Sequence, residues 1–146
     1  MGHYLDIAIG LSIGALVVIQ GAMNATLVGF VGSALPAALV NFLVGVLALL
    51  CASVVTGTLG GMQGISLAPK WCVLGGVAGA LLVMGTAYLI PRIGTAHTVA
   101  LIMCGQVFLS MVIDHFGLIG VPVIAISTQR IVGCSLLALG AYVIGR

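Results

Sequence analysis

Apolar residues in this chain neither alternate nor keep to one stripe; they come in long runs broken by glycine, proline and a few charges. The runs predict five helices, over 4–28, 35–56, 70–90, 94–115 and 128–145, each near the ~20 apolar residues that a bilayer span requires. The breaks carry helix-ending residues. Residues 57–64 read as a Gly-rich loop between the second and third helices. Pro91-Arg92 is expected to stop the third, because proline lacks the backbone donor and clashes with the preceding turn. Gly117 to Pro122 lead out of the fourth helix, and Ser127 or Thr128 is placed to cap the fifth. The reading is an all-α membrane protein: one domain, residues 1–146, with five transmembrane helices per subunit.

Composition supports lipid as the solvent. Of 146 residues, 62% are apolar and 4% charged, and the mean hydropathy is +1.41. Soluble domains carry about 25% charged residues, so this chain lacks the charge to cover a surface in water. A net charge of +2, spread along the chain, gives no footprint for nucleic acid. The opening Met1-Gly2-His3-Tyr4-Leu5-Asp6 has no basic segment of the kind a cleaved signal carries, so the first run is expected to be a retained helix. Cys51, Cys72, Cys104 and Cys134 are far apart in apolar sequence, and they indicate neither a metal site nor a disulfide framework. No nucleophile–base pair or phosphate loop is present. Neither an enzyme nor a cofactor is expected.

The few charges bear on orientation. With five spans the termini fall on opposite faces. Lys70 and Arg130 then lie on one side of the bilayer, Arg92 and Arg146 on the other. Basic residues near helix ends normally set orientation, and a balanced tally removes that signal. Trp71 and Tyr142 fall near span ends, where aromatic belts form. Small residues on the last helix, from Gly133 to Gly145, are a candidate contact between subunits.

Polar groups inside the spans supply the candidate chemistry. Gln20 and Asn24 are four residues apart on the first helix and share a face. Asn41 lies in the second. Gln106, Ser110 and Asp114 make a polar stripe along the fourth. Each amide in hydrocarbon needs a partner. Two readings stand: helix glue, or a shared cavity lined by Gln20, Asn24 and Gln106, with Asn41 and Ser110 as further candidates. His97 lies in the first turn of the fourth helix and on the face opposite Gln106, since nine residues turn through about 900°. His97 and Asp114 are candidates for a coupling role, and Asp114 is also placed to pair with His115 or Arg130. The chain has no glutamate, and neither aspartate falls at mid-span, which disfavours a cation–proton antiporter built on a buried carboxylate.

Several segments resemble one family. They are Gln20-Gly21-Ala22-Met23-Asn24-Ala25-Thr26-Leu27, Pro69-Lys70-Trp71, Pro91-Arg92-Ile93-Gly94, and Gly105 to Ser110 followed by Asp114-His115-Phe116-Gly117, with Arg130 opening a short last helix. Together they resemble the YdcZ-type proteins of the bacterial inner membrane, half-length members of the drug/metabolite transporter superfamily. The resemblance implies half of a ten-helix inverted-repeat architecture, completed by an inverted copy of the chain or by a sister subunit. It also implies export of an undefined small molecule, with Gln20, Asn24, Gln106 and Asp114 at the family's polar positions. Transporters of this build hold their site near the midplane where the halves meet. A chain without orientation bias is suited to form both halves as a dual-topology antiparallel homodimer working by alternating access. The alternatives are a dual-topology ion channel and a non-transporting membrane assembly subunit.

Overall fold

The computed structural model describes residues 2–146, and over them the chain is helical with no strand. Its α-helices are α1 (Gly2–Val31), α2 (Ala34–Val55), α3 (Gly75–Ile93), α4 (Thr95–Phe116) and α5 (Thr128–Ile144). Four stretches are long and apolar enough to cross a membrane: His3–Val31, Ala34–Val55, Lys70–Ile93 and Thr95–Phe116. α5 is apolar but has 17 residues. That is about 26 Å of rise, against a hydrocarbon core of about 30 Å. The chain divides into two compact units, the residues up to Pro91 and Arg92–Arg146.

In the first unit α1 lies along α2. Gly32 makes the turn with φ +83°, donating to the Val28 carbonyl at 2.8 Å, and so ends α1 in the left-handed conformation that glycine adopts without penalty. Pro36 sits in the first turn of α2, where its missing N–H has no intrahelical partner to lose. The stretch expected as a loop after α2 is wound instead: Thr58–Leu67 is 3-10 helix, and Lys70–Leu74 is a second 3-10 segment leading into α3. Tightened turns of this kind are common at helix N-termini, so the α-helical part of the third span begins at Gly75, not at Lys70. Its other end also moves. α3 runs through Pro91 to Ile93. Proline removes one donor, the next two residues still complete the turn, and the break falls at Gly94 with φ +80°.

Buried side chains in this unit are small: Ala37, Ala38, Val83, Thr86 and Ala87, with Asn24. Large apolar residues point outward, among them Leu11 (72% exposed) and Phe30 (85%). This inverts a water-soluble core. In lipid there is no hydrophobic drive between helices, and close approach of small residues supplies the packing. Gly79 follows that rule, with the Phe42 ring 3.7 Å from where its Cβ would stand. Gly10, Gly14, Gly75, Gly76, Gly133 and Gly140 have nothing within 4 Å of that position. Their small-residue faces are left open to lipid or to another chain.

The second unit is built on α4 packed against α5. Asp114, near the end of α4, pairs with Arg130 near the start of α5, and His97 near the start of α4 lies against Gly145 just after α5. The two helices are therefore antiparallel. Their connection is pinned at its α4 end: the Ile124 amide donates to the Asp114 carbonyl at 2.9 Å, and the Ile126 amide to Nδ1 of His115 at 3.4 Å. Ser127 caps α5, accepting from the Arg130 amide at 3.3 Å. Gly117 closes α4 with φ +59°, and a Cβ there would stand 2.7 Å from Cγ2 of Val123. Gly117→Ala is accordingly expected to lose about 1–2 kcal/mol from backbone conformation alone, with the clash adding to it. Thermal unfolding followed by circular dichroism in detergent checks this, against Gly10→Ala, which should unfold no earlier than the unaltered chain.

Candidate functional site

The membrane-spanning helices of the first unit carry three amides. Asn24 is 3% exposed, and its Nδ2 has no hydrogen-bond partner. Gln20, one turn earlier, is exposed instead. The residue between them in space explains the difference: Gly21 is buried, with Cδ1 of Ile90 3.1 Å and Cβ of Thr86 3.9 Å from where its own Cβ would be. Asn24, three residues on from Gly21, continues that buried face, while Gln20 turns away from it. Asn41 on α2 is half-buried. It meets Gln20 at the lips of two adjoining crevices, one of about 450 Å³ lined also by Ile13, Leu16 and Met23, the other of about 310 Å³ lined by Phe42, Gly45 and Leu49. A separate apolar crevice of about 270 Å³ runs between α2 and α3, past Leu35, Phe42, Val77 and Met84.

The hydroxyls spend their donors locally. Thr86 donates to the Val83 carbonyl at 2.8 Å and Ser110 to the Val107 carbonyl at 2.9 Å. Back-bonding of this kind leaves the hydroxyl oxygen as an acceptor only. An amide has no such local outlet, so the unpartnered Nδ2 of Asn24 stands apart as a buried donor requiring an acceptor. Leaving it unmade costs about 1–3 kcal/mol.

In the second unit Gln106 and Ser110 are exposed on α4, and Asp114 is half-buried. Of the partners expected for Asp114, Arg130 is the one it takes: Nη1 of Arg130 donates to Oδ2 at 3.1 Å, with the side chains 33% and 27% exposed respectively. Partial exposure limits the pair to about 1 kcal/mol. The carboxylate already has its counter-ion within the hairpin. His97 is half-buried and faces α5, whereas Gln106 is exposed. His97 forms a crevice of about 580 Å³ with Leu101 and Cys104 of α4 and with Ala138, Ala141, Tyr142, Gly145 and Arg146. Along the sequence Tyr142 stands at a belt position and Arg146 at a span end, with nothing local to join them to His97. The available signal was that the start of one helix and the end of the next must meet when the two are antiparallel.

The four cysteines are free thiols. Among the described residues, no group of three His, Cys, Asp or Glu side chains converges. Each base pair of the topology tally brackets one helix. Lys70 and Arg92 stand at opposite ends of the stretch Lys70–Ile93, and Arg130 and Arg146 at opposite ends of α5.

A family model described as "Putative inner membrane exporter, YdcZ" matches residues 5–143. No curated protein and no solved structure gives a match.

Proposed function

The chain belongs to the YdcZ family of inner-membrane exporters, and from that premise we propose that it exports a small molecule by alternating access as an antiparallel homodimer of five-span subunits. Membrane residence follows from the family and from four helices of spanning length. The fifth span is α5, whose 17 residues lie at the short end of the range for a crossing. The observation that carries the dimer is the bracketing of two helices by bases. A helix with one base at each end presents the same positive charge to either side, so it gives the chain no preferred way in. Two copies inserted in opposite senses supply the two halves of an inverted-repeat transporter, whose site lies where they meet.

In this reading Gln20, Asn24 and Asn41, all in the first unit, face the pathway. They offer donors and acceptors without net charge. The Asp114–Arg130 pair serves the hairpin, not ion coupling, because its charge is already compensated. Solutes matched to such a lining are uncharged and polar.

The test is a pair of reporters fused at the C-terminal end, one active only in the cytoplasm and one only outside. Comparable activity from both is expected. A single orientation accounting for all the protein overturns the antiparallel homodimer.

A further inference from the structure

The crevice between the start of α4 and the end of α5 has its polar and apolar parts separated along the helix axes. His97, Leu101 and Cys104 follow one another at helical steps down α4; Ala138, Ala141, Tyr142 and Gly145 do so on α5. All the polar groups are at one end: the His97 imidazole, the Tyr142 hydroxyl and the Arg146 guanidinium. The floor, formed by Leu101, Cys104 and Ala138, is apolar and extends about 10 Å from His97 to Cys104. In a bilayer those axes run across the membrane, so the polar end lies at the interface and the floor in the hydrocarbon. That is the polarity of a lipid molecule.

The charge at this end is positive. Arg146 is held over the Tyr142 ring, 4.9 Å from its centroid, and donates to the Tyr142 hydroxyl. The unit's one acidic side chain, Asp114, is at the far end of the hairpin and is paired with Arg130. Gly94 caps α4 without a side chain, so the first-turn amides of α4 add donors here. The carbonyls ending α5 offset part of that dipole, and Arg146 therefore decides the sign. About 580 Å³ is ample for a headgroup phosphate and the first part of one acyl chain.

We propose that this crevice binds an acidic phospholipid, with the phosphate held by Arg146 and Tyr142 beside the His97 imidazole and one acyl chain laid along Leu101, Cys104 and Ala138. A zwitterionic lipid carries its own cation and gains less from Arg146. Gly145 is part of the site. A side chain there would run into the His97 ring and push it across the headgroup position. The inference concerns the α4–α5 hairpin alone and does not depend on the homodimer or on the transport pathway.

The experiment is thermal unfolding of the purified full chain in detergent, with added phosphatidylglycerol, phosphatidylcholine or inorganic phosphate. Any species that binds the folded state raises the unfolding temperature. Phosphatidylglycerol is expected to stabilise beyond phosphatidylcholine, and inorganic phosphate to have no effect. Arg146→Ala should weaken the apparent phosphatidylglycerol affinity about fivefold, as removal of one surface base does. Leu101→Trp, which fills the floor without changing charge, should abolish the difference between the two lipids. Should Leu101→Trp fail to fold, Ala138→Leu fills the same floor from α5. Equal effects of the two lipids overturn the proposal, as does a phosphatidylglycerol effect that survives both Arg146→Ala and the floor-filling variant. An equal shift with inorganic phosphate overturns the lipid in favour of a free anion. Loss of dimer on size exclusion with the floor-filling variant overturns it in favour of a second copy covering the crevice.

Discussion

Arg92→Ala combined with Arg146→Ala is expected to turn a mixed population into one with a single orientation, N-terminus in the cytoplasm and C-terminal end outside. The unaltered chain has one base at each end of Lys70–Ile93 and of α5. Removing Arg92 and Arg146 leaves Lys70 and Arg130, which five spans put on the same face as the N-terminus. Each base near the surface is worth about 1 kcal/mol, so a bias of two favours one orientation about thirtyfold. The C-terminal reporters measure it directly: the outside reporter should dominate in the double variant. Lys70→Ala alone should move the ratio the opposite way, by less. If both reporters stay equally active in the double variant, orientation is set by something other than these bases.

Asn24→Leu is expected to make the protein more stable and less able to bind its solute. Asn24 is 3% exposed with an unpartnered Nδ2. Leucine has a similar size and leaves no donor stranded. The expected gain is about 1 kcal/mol, toward the low end of what a buried unmade hydrogen bond costs. For a chain of this length that raises the unfolding temperature by a few degrees. In a thermal-shift screen of uncharged polar compounds, those that stabilise the unaltered chain should lose their effect on Asn24→Leu. A less stable Asn24→Leu protein means that the amide is helix glue in the assembled protein, and the pathway reading of Asn24 then fails. Stability held in excess of function is common; function held at the expense of stability marks a working site.

Legibility differed from residue to residue. The capping of α5 by Ser127 followed from local chemistry, because a cap acts within three residues along the chain. The Asp114–Arg130 pair was one of two expected alternatives, and the turn geometry after Gly117 chose it. Pro91 and residues 57–64 went further from expectation. Helix ends depend on turn energies too small to read from residue type, so α3 runs past its proline and the Gly-rich stretch winds as 3-10 helix. Gln20 and Asn24 share a helix face by spacing, yet one is exposed and the other buried. What separates them is the approach of Ile90 and Thr86 to Gly21, a contact between residues about 65 positions apart along the chain.

Membrane residence, the helical class and the family are determined by the sequence by itself. Long apolar runs with almost no charge have one stable solution in lipid, helices that satisfy their own backbone, and that constraint is local to each run. The balance of bases is also a property of the sequence, though its robustness is not. Each pair of bases brackets a single helix, so the tally rests on both Lys70–Ile93 and α5 crossing the bilayer. Tertiary structure alone decided which amide is stranded, which counter-ion Asp114 takes, and that His97, Tyr142 and Arg146 meet at one mouth. Those are contacts between helices. In a chain whose helices are apolar all round, no stripe of residues announces which face will meet which.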